Sequence, residues 1–308
     1  MPPLLRPDRR LGCGLLLCLL LGTFAPLRAQ VPLVPPDYTT TTKKAPSYYG
    51  PNAFPVPDIP DTLAARPVLD LSASFAVGYH GGYTVSTAPR LVLPLFTSRA
   101  NITFWGTVVE GYHNSAATLA ACRLADPTPG AIRGMEWGDL YVETAVLVFG
   151  ESRRRPSLTF RSALKTASGG GSCKARFYDA SGYWFDATVA RTFPLSATPS
   201  GSVTLRTAAV VGFLCWDTDH NRQNDAVLYG LQATLHAPAL DFSTAWGGYV
   251  GWEHDGDAPM DVRARLTLFP HGRTPQRTAV GIAPFCACRV GLHDYDYLQL
   301  TAGVSLRF

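Results

Sequence analysis

One polar stretch of the sequence, residues 217–225, carries side-chain oxygens at short intervals. Their spacing is the one with which a short loop wraps oxygen ligands around a calcium ion. The candidate ligands are Asp217, Asp219, Asn221 and Asp225. The stretch departs from the helix–loop–helix calcium motif, because Arg222 stands at the glycine position and Leu228 at the final acidic position. Calcium is therefore the one cofactor hypothesis, and its alternative is a solvated turn rich in turn-forming residues.

Histidines could supply a general base for a hydrolase that acts on lipid at the membrane surface. The candidates are His220, His236, His254, His271 and His293. No signature of such an enzyme accompanies them, and Gly169–Gly171 lacks the Lys-Ser/Thr sequel of a phosphate-binding loop. An esterase or lipid A deacylase is kept as an alternative, with loss of activity on His220→Ala as its test. No catalytic residue is assigned.

Cysteines give a second structural hypothesis. Cys122 and Cys173 fall in neighbouring polar connections and could form a disulfide in an exported protein. Five cysteines follow residue 29, so at least one thiol stays unpaired. Their spacings match no zinc or haem motif, so no metal is assigned to them.

The N-terminal region has the composition of an export signal followed by a leader. Residues 1–29 combine a basic start, an apolar run and Ala29 at the end, which predicts a cleaved signal peptide. They hold four arginines and one aspartate, so their net +3 leaves only +1 of the chain's +4 for the remainder. That balance gives no support to nucleic-acid binding. Residues 30–66 are proline-rich and predict an extended periplasmic leader, with a plug in the barrel mouth as the alternative.

From residue 67 to residue 308 the chain alternates apolar and polar residues in segments of roughly ten, which is typical of membrane β-barrels. The last segment shows the pattern best, with Leu298, Leu300, Ala302, Val304 and Leu306 on one face. Twelve segments follow this pattern: about 68–79, 89–97, 101–112, 137–150, 157–167, 183–194, 203–216, 226–236, 240–252, 262–270, 277–290 and 295–308. The fold predicted is all-β, a transmembrane antiparallel up-and-down barrel of about 12 strands.

The opposite face of these strands carries charge, which predicts a polar lumen. The residues predicted to line it are Arg161, Lys165, Arg206, Arg263, Arg265, Glu143 and Asp186. Aromatic residues near the predicted strand ends, including Trp184 and Trp216, are interpreted as girdles at the membrane interfaces. A barrel of twelve strands is wider than the eight-stranded barrels that side chains fill.

The last residues of the sequence resemble a signal found in a known class of membrane proteins. A terminal Phe308 preceded by apolar residues at alternate positions resembles the assembly signal of Gram-negative outer-membrane proteins, whose last strand is recognised by the barrel-assembly machinery. Tyr48–Phe54 and the stretches 164–169 and 175–179 also resemble uncharacterised barrels of Bacteroidetes-type bacteria. The first resemblance implies an outer-membrane location, with outer-membrane lipid and the assembly machinery as partners.

Three functions are consistent with these features. The leading hypothesis is a narrow passive pore for small solutes, slightly favouring anions, with Arg161, Arg206, Arg263 and Arg265 setting its selectivity. The lipid-cleaving enzyme is the second. The third is an occluded structural or partner-binding barrel in which the arginines pair with acids across the interior.

Overall fold

A computed structural model describes residues 45–96, 99–124, 129–171, 174–178, 180–198, 201–219, 222–252, 254–270 and 280–308, with the main chain alone at 197–198, 218–219 and 222–224. Its β-strand segments form one antiparallel sheet, which closes because β1 pairs with both β2 and β14. In chain order they are β1 Val68–Gly78, β2 Tyr83–Leu95, β3 Ala100–Gly106, β4 Val109–His113, β5 Arg133–Glu136, β6 Leu140–Phe149, β7 Ser157–Lys165, β8 Gly182–Thr198, β9 Gly201–Asp219, β10 Arg222–Ala237, β11 Leu240–Gly251, β12 Met260–Leu268, β13 Gly281–His293 and β14 Tyr297–Arg307.

The fourteen segments make twelve wall strands. β3 and β4 both pair with β2, so they are one wall strand interrupted at residues 107–108. β5 pairs with β4 and β6 pairs with β3, so these two also form one strand, interrupted at residues 137–139. The predicted closed antiparallel barrel of twelve strands is therefore confirmed.

Alternation along each strand separates an apolar outside from a polar inside. On β7, Phe160 and Leu164 are exposed on the outer wall, whereas Thr159, Arg161 and Lys165 are buried within the barrel. Large apolar side chains continue this outer surface around the wall: Leu71, Phe75, Val77, Val85, Val146, Phe185, Val189, Val211, Phe213, Val227, Leu231, Phe242, Val250, Ile282, Leu298 and Leu300. A continuous apolar band of this kind is the lipid-facing surface of a membrane barrel.

The barrel has two unlike ends. The end where β1 begins and β14 finishes is called the turn end, and the opposite one, with the connections 114–132, 166–181 and 252–259, is called the loop end. Two short helices, α1 Ala116–Ala121 and α2 Pro129–Ile132, lie in the first of these connections. Among the described residues, no helix is long and apolar enough to cross a membrane.

Two intervals that the predicted segments leave out, 80–88 and 217–225, are largely strand in the structure. Residues 83–88 belong to β2, where Thr84 and Ser86 point inward and are buried. Residues 217–219 and 222–225 likewise belong to β9 and β10, which pair as far as Arg222 with Asp219. Small polar side chains on the inner face resemble loop sequence, although the ladder of main-chain hydrogen bonds continues through them.

Replacing Leu231 on the outer wall with arginine is expected to destabilise the barrel in lipid by about 2–4 kcal/mol. Leu231 lies within β10 and its side chain is 55% exposed, so the charge would face hydrocarbon. Urea unfolding in phospholipid vesicles measures the loss. Ser196→Arg, at an exposed site near the turn end, is the matched control and should cost about 1 kcal/mol or less. Equal losses for the two variants would contradict a lipid-facing wall.

Candidate functional site in the barrel lumen

Residues 45–66, called here the lumenal segment, run through the barrel from the loop end to the turn end. At the loop end, Ser47 N–H donates to Gly256 O at 3.0 Å and Tyr48 OH donates to Asp255 at 2.8 Å. At the turn end, Phe308 N–H donates to Pro67 O at 3.1 Å, directly before β1. This part of the proline-rich region therefore lies inside the barrel, and its role as a periplasmic leader or as a plug stays a prediction.

Wall side chains hydrogen-bond the main chain of the lumenal segment. Prolines 51, 55, 57 and 60 have no N–H group and prevent a regular ladder, so the segment's buried carbonyls need other donors. The donors and the carbonyls that accept from them are Tyr297 to Tyr49 (3.3 Å), Tyr141 to Ala53 (3.1 Å), Tyr249 to Phe54 (3.1 Å), Arg289 to Val56 (3.1 Å) and Arg206 to Asp61 (2.6 Å). Side chains that the strands project inward therefore hold the segment from Tyr49 to Asp61.

An aromatic layer closes the loop-end half of the lumen. Phe54 of the lumenal segment packs against Trp216, with ring centroids 5.3 Å apart. Trp216 in turn contacts Trp184 at 6.0 Å and Tyr249 at 6.1 Å. Tyr141 extends the layer by contacting Trp184 at 6.2 Å. All five rings are buried, so this half of the barrel is filled with protein.

The positions of Trp184 and Trp216 show that their interpretation as aromatic girdle residues was wrong. Trp184 and Trp216 were predicted at the membrane interface, but they point into the barrel and are buried. Tyr183 and Phe185 occupy the outward positions on either side of Trp184. Strand parity could have revealed this, since Trp184 and the predicted lumenal Asp186 share a face.

Four of the predicted lumenal residues come together as buried ion pairs. Arg161 lies 2.6 Å from Asp186 and 3.4 Å from Glu143, and all three side chains face inward. Lys165 lies 2.6 Å from Asp139, with neither side chain exposed. Each charge is thereby compensated where water is excluded, as buried charges require.

The connection 166–181 at the loop end places Arg176 in this packed half of the barrel. Its guanidinium donates to Glu110 at 2.7 Å, Asn114 at 3.1 Å and Thr84 at 2.6 Å, and all four side chains are buried. Gly50 of the lumenal segment donates its N–H to Arg176 O at 3.1 Å. A Cβ at residue 50 would lie 2.7 Å from Nη2 of Arg176, so a side chain there would push the guanidinium away from its partners. The sequence contained no pattern that singled out Arg176.

The other predicted arginines lie nearer the turn end. Arg206 donates to Asp61 O and also to Glu151 at 3.0 Å. Arg263 contacts Asp58 at 2.9 Å and donates to the carbonyl of Pro57 at 3.1 Å. Both residues therefore hold the lumenal segment in place.

A cavity of about 740 Å³ remains between the lumenal segment and the wall in the turn-end half. Arg263, Arg265 and Glu143 line it, whereas Arg161, Lys165 and Asp186 lie in the packed half. That the seven residues predicted to line the lumen form a path for solutes stays a prediction. Also in the lining is His236, whose Nδ1 lies 2.9 Å from Asp241 Oδ1.

The calcium hypothesis stays a prediction. Asp217 and Asp225 lie on the paired strands β9 and β10, and the side chains of Asp219 and Asn221 lie outside the described residues, as does His220. Within the described part of the chain, no group of three or more His, Cys, Asp or Glu side chains is placed to hold a metal ion.

The predicted disulfide is also untested. Cys122 is buried at the end of α1 and has no disulfide partner among the described residues. Burial raises the pKa of its thiol to about 11. Cys173 lies outside the described residues. Phe308 is exposed at the turn end, and its use as an assembly signal stays a prediction, as does the signal peptide, residues 1–29.

Solved structures that resemble this chain include outer-membrane β-barrels of low sequence identity. An outer membrane channel from Pseudomonas putida F1 is 12% identical, with a TM-score of 0.46 over 90% of this chain and 100% of that one. The NanC porin is 11% identical, with a TM-score of 0.46 over 78% and 98%. The KdgM porin, solved in complex with disordered oligogalacturonate, is 8% identical, with a TM-score of 0.43 over 78% and 99%.

No protein-family profile matches the sequence, and no curated protein matches it. The narrower resemblance to Bacteroidetes-type barrels therefore stays a prediction. The chain is similar to outer-membrane barrels in its architecture.

Proposed function

We propose that the chain is an integral outer-membrane β-barrel whose lumen is closed at rest by its own residues 45–66. Small solutes pass only when this lumenal segment leaves its place in the aromatic layer. The apolar outer wall and the predicted signal peptide support the location. The proposal combines the predicted narrow pore with the predicted occluded barrel, since one chain can be both in different states.

One observation carries the proposal: the middle of the lumenal segment is packed into the wall. Phe54 is 4% exposed and Val56 is 1% exposed, although both belong to a segment without strand pairing. Burial of two such side chains stabilises the closed state by about 3–6 kcal/mol.

Val56→Asp in the full mature chain tests the proposal by single-channel conductance in planar bilayers. A carboxylate in place of this buried apolar side chain is costly, because the nearest arginines, Arg263 and Arg289, are already paired with Asp58 and Asp261. The lumenal segment should therefore leave its place and the barrel should show long openings. The unaltered protein should be closed for most of the recording. Thr62→Asp, an exposed site on the same segment, is the matched control and should behave like the unaltered protein.

Heat-modifiable migration on gels shows that each variant is inserted and folded. Silence of a folded Val56→Asp barrel would mean that no solute path exists. Constant openings of the unaltered protein at the conductance of Val56→Asp would mean that the lumenal segment does not close it.

A further inference from the structure

The cavity at the turn end has the size and lining of a small-molecule site. Its volume of about 740 Å³ lies within the range of ligand pockets, about 300–1,000 Å³. The lumenal segment forms one side and the inner face of the wall forms the other. Neutral hydrogen-bonding side chains in the lining are Asn101, Thr103, Gln232 and Thr301.

Three of the arginines in this lining are neutralised by carboxylates. Arg263 lies 2.9 Å from both Asp58 and Asp261. Arg289 lies 3.0 Å from the second oxygen of Asp261. The third, Arg265, lies 3.2 Å from Asp70. These groups give the cavity polarity but leave little charge for a ligand.

Three further arginines in the lining have no carboxylate within ion-pair distance among the described residues: Arg66, Arg90 and Arg307. Arg90 stands directly opposite Asp70 in the β1–β2 register, but the carboxylate of Asp70 contacts Arg265 instead. Arg307 donates one Nη to Pro270 O, while its Nε is buried without a hydrogen bond. Arg66 is exposed and solvated, whereas Arg90 and Arg307 are half-buried. A half-buried guanidinium without a counter-charge is costly unless an anion or water compensates it.

We propose that this cavity binds a small anionic solute through Arg66, Arg90 and Arg307. The planar guanidinium matches the geometry of carboxylate and phosphate groups and can donate two parallel hydrogen bonds to either. Thr103, Gln232 and Thr301 then supply hydrogen bonds to the polar remainder of the solute. This inference deepens the proposed function by naming its solute class, and it assigns recognition to arginines other than the four predicted from the sequence.

Calorimetric titration of the full mature chain in detergent micelles tests the site with citrate and with pyrophosphate as separate probes. The unaltered protein should bind one or both, and the preferred probe distinguishes a carboxylate solute from a phosphate solute. Arg90→Ser and Arg66→Ser should each weaken that binding by at least about tenfold, because each removes a charge-assisted hydrogen-bond donor. Arg99→Ser, an exposed arginine at the turn end outside the cavity, should leave it unchanged.

Binding of neither probe by the folded protein would overturn the inference, and so would equal binding by all three variants. The result is separable from the proposed function, because titration needs no open pore. Retained citrate or pyrophosphate binding with a silent Val56→Asp barrel would overturn the solute path alone. Conductance by Val56→Asp without any binding of the two probes would overturn the anion site alone.

Discussion

Replacing Arg161 with methionine is expected to lower the free energy of unfolding of the barrel by about 3–5 kcal/mol. Arg161 is buried between Asp186 and Glu143 at 2.6 Å and 3.4 Å, and its Nε also donates to Asp186 at 2.7 Å. Methionine keeps most of the side-chain volume but leaves two inward-facing carboxylates without a counter-charge. Urea unfolding in phospholipid vesicles, followed by tryptophan fluorescence, measures the change.

The matched control removes all three charges together. Arg161→Met combined with Asp186→Leu and Glu143→Gln leaves no unpaired ion, so much of the lost stability should return. Glutamine at residue 143 keeps an acceptor for the indole N–H of Trp105, which donates to Glu143 at 2.6 Å. If the single and triple variants unfold at the same urea concentration, the cost does not come from uncompensated charge.

Replacing Arg176 with methionine is expected to have a similar effect, about 3–5 kcal/mol, because it breaks a buried pair that joins three parts of the molecule. Arg176 connects the 166–181 connection to Glu110 on β4, and Asn52 of the lumenal segment donates to the same carboxylate at 2.9 Å. Without the arginine, Glu110 stays buried with a neutral partner only. The lumenal segment should therefore loosen as well, which bilayer recordings would show as more frequent openings.

Arg123 gives the control at the same end of the barrel. Its guanidinium lies 2.9 Å from Asp255, but the two side chains are 47% and 25% exposed, so Arg123→Met should cost about 1 kcal/mol or less. Urea unfolding of both variants under identical conditions makes the comparison. Equal stability of Arg176→Met and Arg123→Met would show that the buried contacts of Arg176 contribute nothing beyond an exposed pair.

The wall of the barrel was predictable because strand alternation is local. In β7 the four residues Leu158-Thr159-Phe160-Arg161 alternate apolar and polar, which indicates the face that contacts lipid. The same parity placed Arg161, Arg206, Arg263 and Arg265 inside, where the structure has them. Strand ends were less predictable, since Thr84 and Ser86 continue a ladder with side chains that are equally common in loops.

The partners of the inward residues were not predictable, because they lie far apart in sequence. Arg263 and Asp58 are separated by more than two hundred residues and meet only when the barrel has closed around the lumenal segment. Phe54 and Trp216 also lie far apart in sequence and meet only in the closed barrel. A local sequence pattern cannot indicate a contact that forms only when the barrel closes. A proline-rich stretch likewise has the same composition whether it is solvated or enclosed.

The sequence by itself determined the closed twelve-stranded sheet, the apolar outside and the charged inside, because these follow from a period of two residues repeated along the chain. Only the tertiary structure decided that the loop-end half is filled and that the lumenal segment takes part in filling it. It also decided that Arg66, Arg90 and Arg307 line the remaining cavity with no carboxylate within ion-pair distance among the described residues. The physical reason is that charge compensation and burial are properties of the closed interior, where each side chain meets neighbours from strands distant in sequence.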